Sequence, residues 1–243
     1  MESIKQIMHN RERPVNVVPV AVIVILICAF SVQLAWHAWR PSAVAKVSKL
    51  PDPPPAILLR ALDLGEPVTL SRILMLWLQS FDYQPGISIP FKNLDYNRLI
   101  GWLQLVLDMD NKTQYPLLSA SRLYSEVPDE VRQRQILEFV YLKFLENPNA
   151  RWPWLVHAVY VAKHKLKDLD LAYKYAKALR VYANGDNVPS WARQMELFIL
   201  DDQGDSEGAR ILLGGLLESG VIKDRNELRF LQERLGIHKS NNK

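Results

Sequence analysis

The stretch HAVYVAKHKLKD, residues 157–168, carries the side chains of this chain best suited to chemistry: two histidines seven positions apart, with lysines and an aspartate close behind. On a helix that spacing is two turns, about 10 Å of rise, so His157 and His164 share a face but cannot close on one metal ion. Two ligands on a single helix need a spacing of three or four, as in HExxH. The spacing therefore predicts a hydrogen-bonding groove or a solvated face.

Other candidates for chemistry are ordinary by position. The carboxylate pairs Asp108/Asp110 and Asp201/Asp202 fall at predicted helix ends beside turns, where exposed acids are common. NKT at 111–113 fits the glycosylation acceptor pattern, which matters only in a eukaryotic secretory route. A glycine-rich phosphate loop, a GxSxG elbow and a Cys/His pairing are all missing from the sequence. No catalytic residue, metal ligand or cofactor is assigned, and an enzyme is not expected.

The elements that must position these residues follow from composition and spacing. The chain has 243 residues, 49% of them apolar, enough for a substantial core. Its net charge is only +4, and about half of that excess lies in the first forty residues, where Lys5, Arg11, Arg13 and Arg40 face Glu2 and Glu12. With no run of basic residues to track a phosphate backbone, nucleic acid is not an expected partner. The single cysteine, Cys28, allows no intrachain disulfide and no cysteine-based zinc site.

No residue from Pro14 to Trp39 carries a formal charge, and VNVVPVAVIVILICAFSVQLAW is long enough for a helix to cross a hydrocarbon core. Residues 16–38 are read as a transmembrane helix, with Pro19 near its start and Trp36 and Trp39 at interfacial depth. A cleaved signal peptide is the competing reading, opposed by the bulky Gln33, Trp36 and Trp39 where small residues would be required. Basic residues near the membrane balance, Lys5, Arg11 and Arg13 against Arg40, Lys46 and Lys49. A short basic tail at 1–15 favours a cytoplasmic N-terminus. The expectation is a single-pass protein of the bacterial inner membrane with its C-terminal domain in the periplasm.

Residues 39–56 include PSAVAKVSKLPDPPPA, whose prolines predict a semi-rigid extended spacer. Beyond it, apolar residues recur at threes and fours in ILMLWLQSF (73–81), RLIGWLQLVLDM (98–109) and RQRQILEFVYLKFL (132–145). Helix starts and breaks are marked by Asp95, VPDE at 127–130, NPNARWP at 147–153, NGDNVP at 184–189 and Gly204-Asp205. GISIPF at 86–91 is the nearest approach to a strand and is read as a loop. The fold class is all-α, about nine short helices in stacked hairpins, divided into 57–149 and 150–239.

Two hairpins superimpose at a period of 37 residues: Trp154 on Trp191, Asp168 on Asp205, Ala172 on Ala209 and Leu179 on Leu216, with Asp170 and Glu207 also matching. The aspartates suit a helix cap and the alanines a close helix crossing. His157 then aligns with Gln194, and His164 with Asp201.

GDSEGARILLGGLLESG, 204–220, resembles the turn and second helix of a tetratricopeptide repeat, in a divergent form whose tryptophan-to-alanine spacing is 18 residues. RWPWLVHAVYVAKHKLKDLDLAYKYAKAL also resembles stretches of membrane-anchored bacterial proteins of this class. The resemblance covers 150–220, and 57–149 only by analogy. It implies an α-solenoid with a terminal capping helix, whose first helices line a groove for another protein. The candidate binding residues are Trp154, His157, His164, Trp191, Gln194 and Phe198, the tryptophans serving either as groove anchors or as packing between hairpins. The expected function is a membrane-tethered scaffold for a protein partner in assembly of an envelope complex. The alternatives are a structural subunit buried in a larger membrane complex and an unrecognised enzyme or metal protein.

Overall fold

A computed structural model describes residues 18–39, 49–62, 65–81, 83–84, 87–88, 91–222 and 224–236. The expected cytoplasmic tail at 1–15, the first two positions of the spanning segment, spacer residues 40–48 and the last positions of the repeat domain, 237–239, lie outside the described residues. The chain divides into two units, 1–46 and 47–243.

In the first unit, α1 (Val20–Trp39) is a single helix with no buried residue. It is long and apolar enough to cross a membrane. Pro19, just before it, gives up no helical hydrogen bond and accepts from Val22 N at 2.9 Å.

The second unit is helical apart from one short pairing. Its helices are α2 (Ala56–Leu62), α3 (Pro67–Gln79), α4 (Tyr96–Met109), α5 (Tyr115–Arg122), α6 (Glu130–Glu146), α7 (Pro148–His164), α8 (Leu169–Tyr182), α9 (Ser190–Arg193), α10 (Met195–Asp202), α11 (Ser206–Glu218) and α12 (Arg225–Arg234). Among the described residues eleven α-helices stand where about nine were expected, because a short helix follows the prolines and a turn at Gln194 splits α9 from α10. GISIPF was expected to be loop throughout, yet β1 (Tyr83–Gln84) and β2 (Ile87–Ser88) pair antiparallel.

The proline-rich segment is not a free spacer over its described half, which corrects the sequence reading. Leu50 is buried in the main core. Arg98 Nη1 donates to Leu50 O at 2.8 Å, Trp102 Nε1 donates to Pro51 O at 2.9 Å, and Arg98 Nε pairs with Asp52 at 2.8 Å. A Cβ on Gly101 would come within 2.8 Å of Pro53 Cγ, so α4 needs a glycine where the segment crosses it. Extended backbone leaves carbonyls unpaired, and the arginine and indole of α4 supply their donors.

Packing follows chain order: α4 touches α5 and α6, α5 touches α6 and α7, α7 packs on α6 and α8, and α8 on α9 and α10. Caps act where expected. Asp95 accepts from Asn97 N and Arg98 N, and Asp129 from Arg132 N. Pro128 lies just before that cap. Two prolines of NPNARWP lie inside α7 rather than in a break, Pro148 at its first turn and Pro153 in its interior. Pro153 has no N–H to donate to Asn149 O, and Asn187 Nδ2 donates to that carbonyl at 2.7 Å instead. Asn149 Oδ1 also accepts from Gly185 N at 2.8 Å, an approach too close for a Cβ at residue 185.

The two turns aligned at 37 residues share a local geometry. Lys167 and Gly204 are both left-handed, at φ 53° and 80°. The next residues cap the following helices, Asp168 accepting from Leu171 N at 2.9 Å and Asp205 from Gly208 N at 2.8 Å. Ala172 and Ala209 are fully buried, and Leu179 and Leu216 nearly so. Side-chain hydrogen bonds 33 to 40 residues apart in sequence run from Gln79 to Glu227. They include Tyr115 to Gln79, Gln135 to Asn97, Trp154 to Gln114, Lys174 to Glu138, Gln203 to Asp170 and Ser190 to Glu227. Bonds of this span link neighbouring helices both before and after residue 150.

Candidate functional site

Helix α7 carries three of the six candidate residues on one strip. Trp154 is half-buried, packs against the main core, and donates Nε1 to Gln114 Oε1 at 2.6 Å. One turn on, the half-buried His157 ring stacks on Tyr160 at 5.8 Å between centroids and 24° between planes. Tyr160 in turn lies 4.8 Å from His164. The two imidazoles therefore flank a phenol rather than each other, which is what a spacing of three and then four dictates on a helix. Tyr160 is 48% exposed and His164 is exposed, so the outer end of the strip is open to solvent.

The charged surroundings come from neighbouring turns. Lys165 Nζ pairs with Glu126 at 2.9 Å, reaching the short helical turn Tyr124–Glu126. Burial, and then the charge of Arg122, holds the His157 imidazole below its ordinary protonation range; Glu126 opposes this and Lys165 adds to it. His157 Nε2 is buried without a hydrogen-bond partner among the described residues. The same Glu126 hydrogen bond raises the Lys165 ammonium.

The other three candidates do not join this strip. Gln194 was expected to line the groove as the counterpart of His157, but it is only 3% exposed. Glu227 of α12 reaches it: Gln194 Nε2 and Ser190 Oγ both donate to Glu227 Oε1, at 2.8 and 2.7 Å. Phe198 is half-buried against the C-terminal cluster of Leu197, Leu213, Leu216, Ile222 and Leu231. Gln194 is thereby corrected from a groove-lining residue to a buried one, while Phe198 stays half-buried. Trp191 is 49% exposed and meets Trp152 edge to face at 5.6 Å. It does not share the setting of its sequence counterpart Trp154: Trp191 meets another indole, where Trp154 donates to Gln114.

No family model, curated protein or solved structure matches this chain.

The remaining acidic candidates are spoken for. Asp108 accepts from Gln104, Asp110 from Lys112 N, Asp202 pairs with Lys163, and Asp201 lies 3.9 Å from Arg234. Among the described residues no three His, Cys, Asp or Glu side chains gather where they could hold a metal ion. A hollow of about 680 Å³ beside Leu50, Arg98, Arg132 and Gln135 contains none of the six candidates, and its carboxylates Asp95 and Asp129 act as helix caps.

Sequence reasoning missed Tyr160 and Glu227. Tyr160 was legible from spacing, three after His157 and four before His164. Glu227 was not, since only the folding back of α12 brings it to Gln194.

Proposed function

We propose that this chain is a membrane-tethered, tetratricopeptide-like helical-repeat adaptor, anchored by α1 in a bacterial inner membrane with residues 40–243 in the periplasm. In this reading it takes a protein partner along α7, contributes no catalysis and needs no cofactor or nucleic acid. The observation that carries it is the strip His157–Tyr160–His164, a row of adjoining rings, the first pair stacked and the second tilted, on the partly exposed side of α7, with Lys165 and Glu126 at its edge. Partly exposed aromatics concentrate binding energy at protein interfaces. The run of side-chain bonds at 33 to 40 residues supports the repeat reading, since in a solenoid each unit contacts its neighbours one period away.

A photo-crosslinking residue at position 160 of the full-length protein tests the surface. Capture of a defined partner there, and not at Lys177 on α8, is expected; equal labelling at both positions overturns the surface. A C-terminal alkaline phosphatase fusion, active only outside the cytoplasm, tests the orientation. The second reading, a subunit buried in a larger complex, is favoured by Ile211 and Phe230, 69% and 58% exposed on α11 and α12. It predicts that Ile211→Ser and Phe230→Ser shift the size of the detergent-extracted assembly while Tyr160→Ala does not.

A further inference from the structure

The first helices of the second unit expose apolar side chains that the fold leaves uncovered. Helix α2 buries only Leu59, leaving Ile57, Leu58 and Leu62 exposed at 79%, 53% and 59%. Helix α3 buries Ser71, Met75 and Leu78 along one side while Val68, Ile73 and Leu76 stand open at 41%, 54% and 65%. The two helices contain no carboxylate, and their only charges, Arg60 and Arg72, are exposed among these apolar residues.

We infer that the exposed faces of α2 and α3 rest on the headgroup and upper acyl region of a bilayer, as interfacial helices. The inference rests on the reading that α1 spans that bilayer. Residues 40–55 are all the chain between Trp39 and Ala56, so an anchored α1 holds these faces at high effective concentration near lipid. A seven-residue helix that buries one side chain and exposes its apolar residues around the rest of its circumference forms a ridge. Such a ridge fits a deformable acyl boundary, which needs no complementary groove to receive it. Arginines among the apolar residues can lay their stems on that boundary and carry their guanidinium groups to lipid phosphates. The absence of acidic side chains on both helices suits an anionic leaflet.

The test uses the full-length chain reconstituted in vesicles of phosphatidylethanolamine and phosphatidylglycerol, with a bimane label on one cysteine at a time. Native Cys28 reports on α1. In a Cys28→Ser background, Ile57→Cys and Ile73→Cys report on the two faces, and Ile211→Cys on exposed α11 serves as control. Nitroxide lipids labelled near the headgroup should remove at least about half of the emission at positions 57 and 73, as expected for side chains within 5–10 Å of the headgroup boundary, and little at 211. Mid-chain nitroxide lipids should quench the label at Cys28. Quenching at Cys28 with positions 57 and 73 no different from 211 overturns the inference and leaves the anchor standing. Loss of quenching at all three overturns both. A blue shift at 57 and 73 without lipid quenching assigns the faces to a second copy of the chain and equally overturns the inference.

Discussion

Gln194 Nε2 lies 2.8 Å from Glu227 Oε1, and this bond closes the C-terminal end of the helical stack. Gln194 is almost fully buried, and the same carboxylate oxygen accepts from Ser190 Oγ. One acidic side chain of α12 thus satisfies two donors of the preceding first helix, at the turn that splits α9 from α10.

Removing that carboxylate leaves Gln194 buried with an unmade bond. Glu227→Ala should destabilise the protein by about 1 to 3 kcal/mol, and Glu227→Gln, which keeps one acceptor, by less. Thermal denaturation followed by circular dichroism reads both. An unchanged midpoint for Glu227→Ala would show that α12 does not hold this end closed.

The left-handed turn before α8 offers the opposite test. Lys167 takes φ 53° where its counterpart one period later is Gly204. A side chain in that region costs energy that glycine does not incur, partly offset by glycine's greater freedom when unfolded. Lys167→Gly should raise stability by up to about 1 kcal/mol, and Gly204→Lys should lower it. Opposite signs for these two substitutions, measured by denaturant unfolding, are the expected result; equal signs would mean that the two turns are not equivalent.

Stability should also depend on pH through His157. Its folded-state protonation range is depressed, by burial first and then by Arg122, with Lys165 in the same direction and Glu126 opposing. Below the ordinary histidine value of 6.5 the unfolded chain therefore binds the proton more readily than the folded one. Stability contributed by the neutral imidazole is intact above that value, declines as pH falls through it, and levels off below the depressed folded value. His157→Gln should flatten this slope. The lowered carboxyls of Glu146, Asp129 and Asp168 act separately, below their ordinary values of 4.5 and 3.8, so unfolding curves collected between 4.5 and 6.5 isolate the histidine. A slope that survives in His157→Gln assigns the dependence elsewhere.

Docking of the proline segment rests on the gap at Gly101. Gly101→Leu should push Pro53 off α4 and strain the Trp102–Pro51 and Arg98–Leu50 bonds. Trypsin should then cut after Lys49 severalfold faster than in the parent. Equal cleavage rates would indicate that the segment is held without this contact.

Much of the local architecture was legible from residues close together in the chain. A charge-free apolar run makes α1, because helix length and side-chain apolarity need no partner to be read. Asp95, Asp168 and Asp205 each cap the helix that follows, since a cap is a contact across two or three residues. Ala172 and Ala209 were recognisable as close-packing positions from the repeat alone. His157 and His164 fall on one strip of α7 as their spacing requires, with Tyr160 between them by the same arithmetic. Tertiary structure decided what covers what. Leu50 and Pro51 look like linker until Arg98 and Trp102, about fifty residues on, supply their missing hydrogen-bond donors. Pro153 reads as a helix break until Asn187 from the next hairpin's loop satisfies the carbonyl it leaves free. Gln194 and His157 align at 37 residues in the sequence, yet the one is buried and bonded to Glu227 while the other stays half-buried beside exposed Tyr160. Burial belongs to neighbours brought in by folding, and spacing along the chain carries no record of which neighbour arrives.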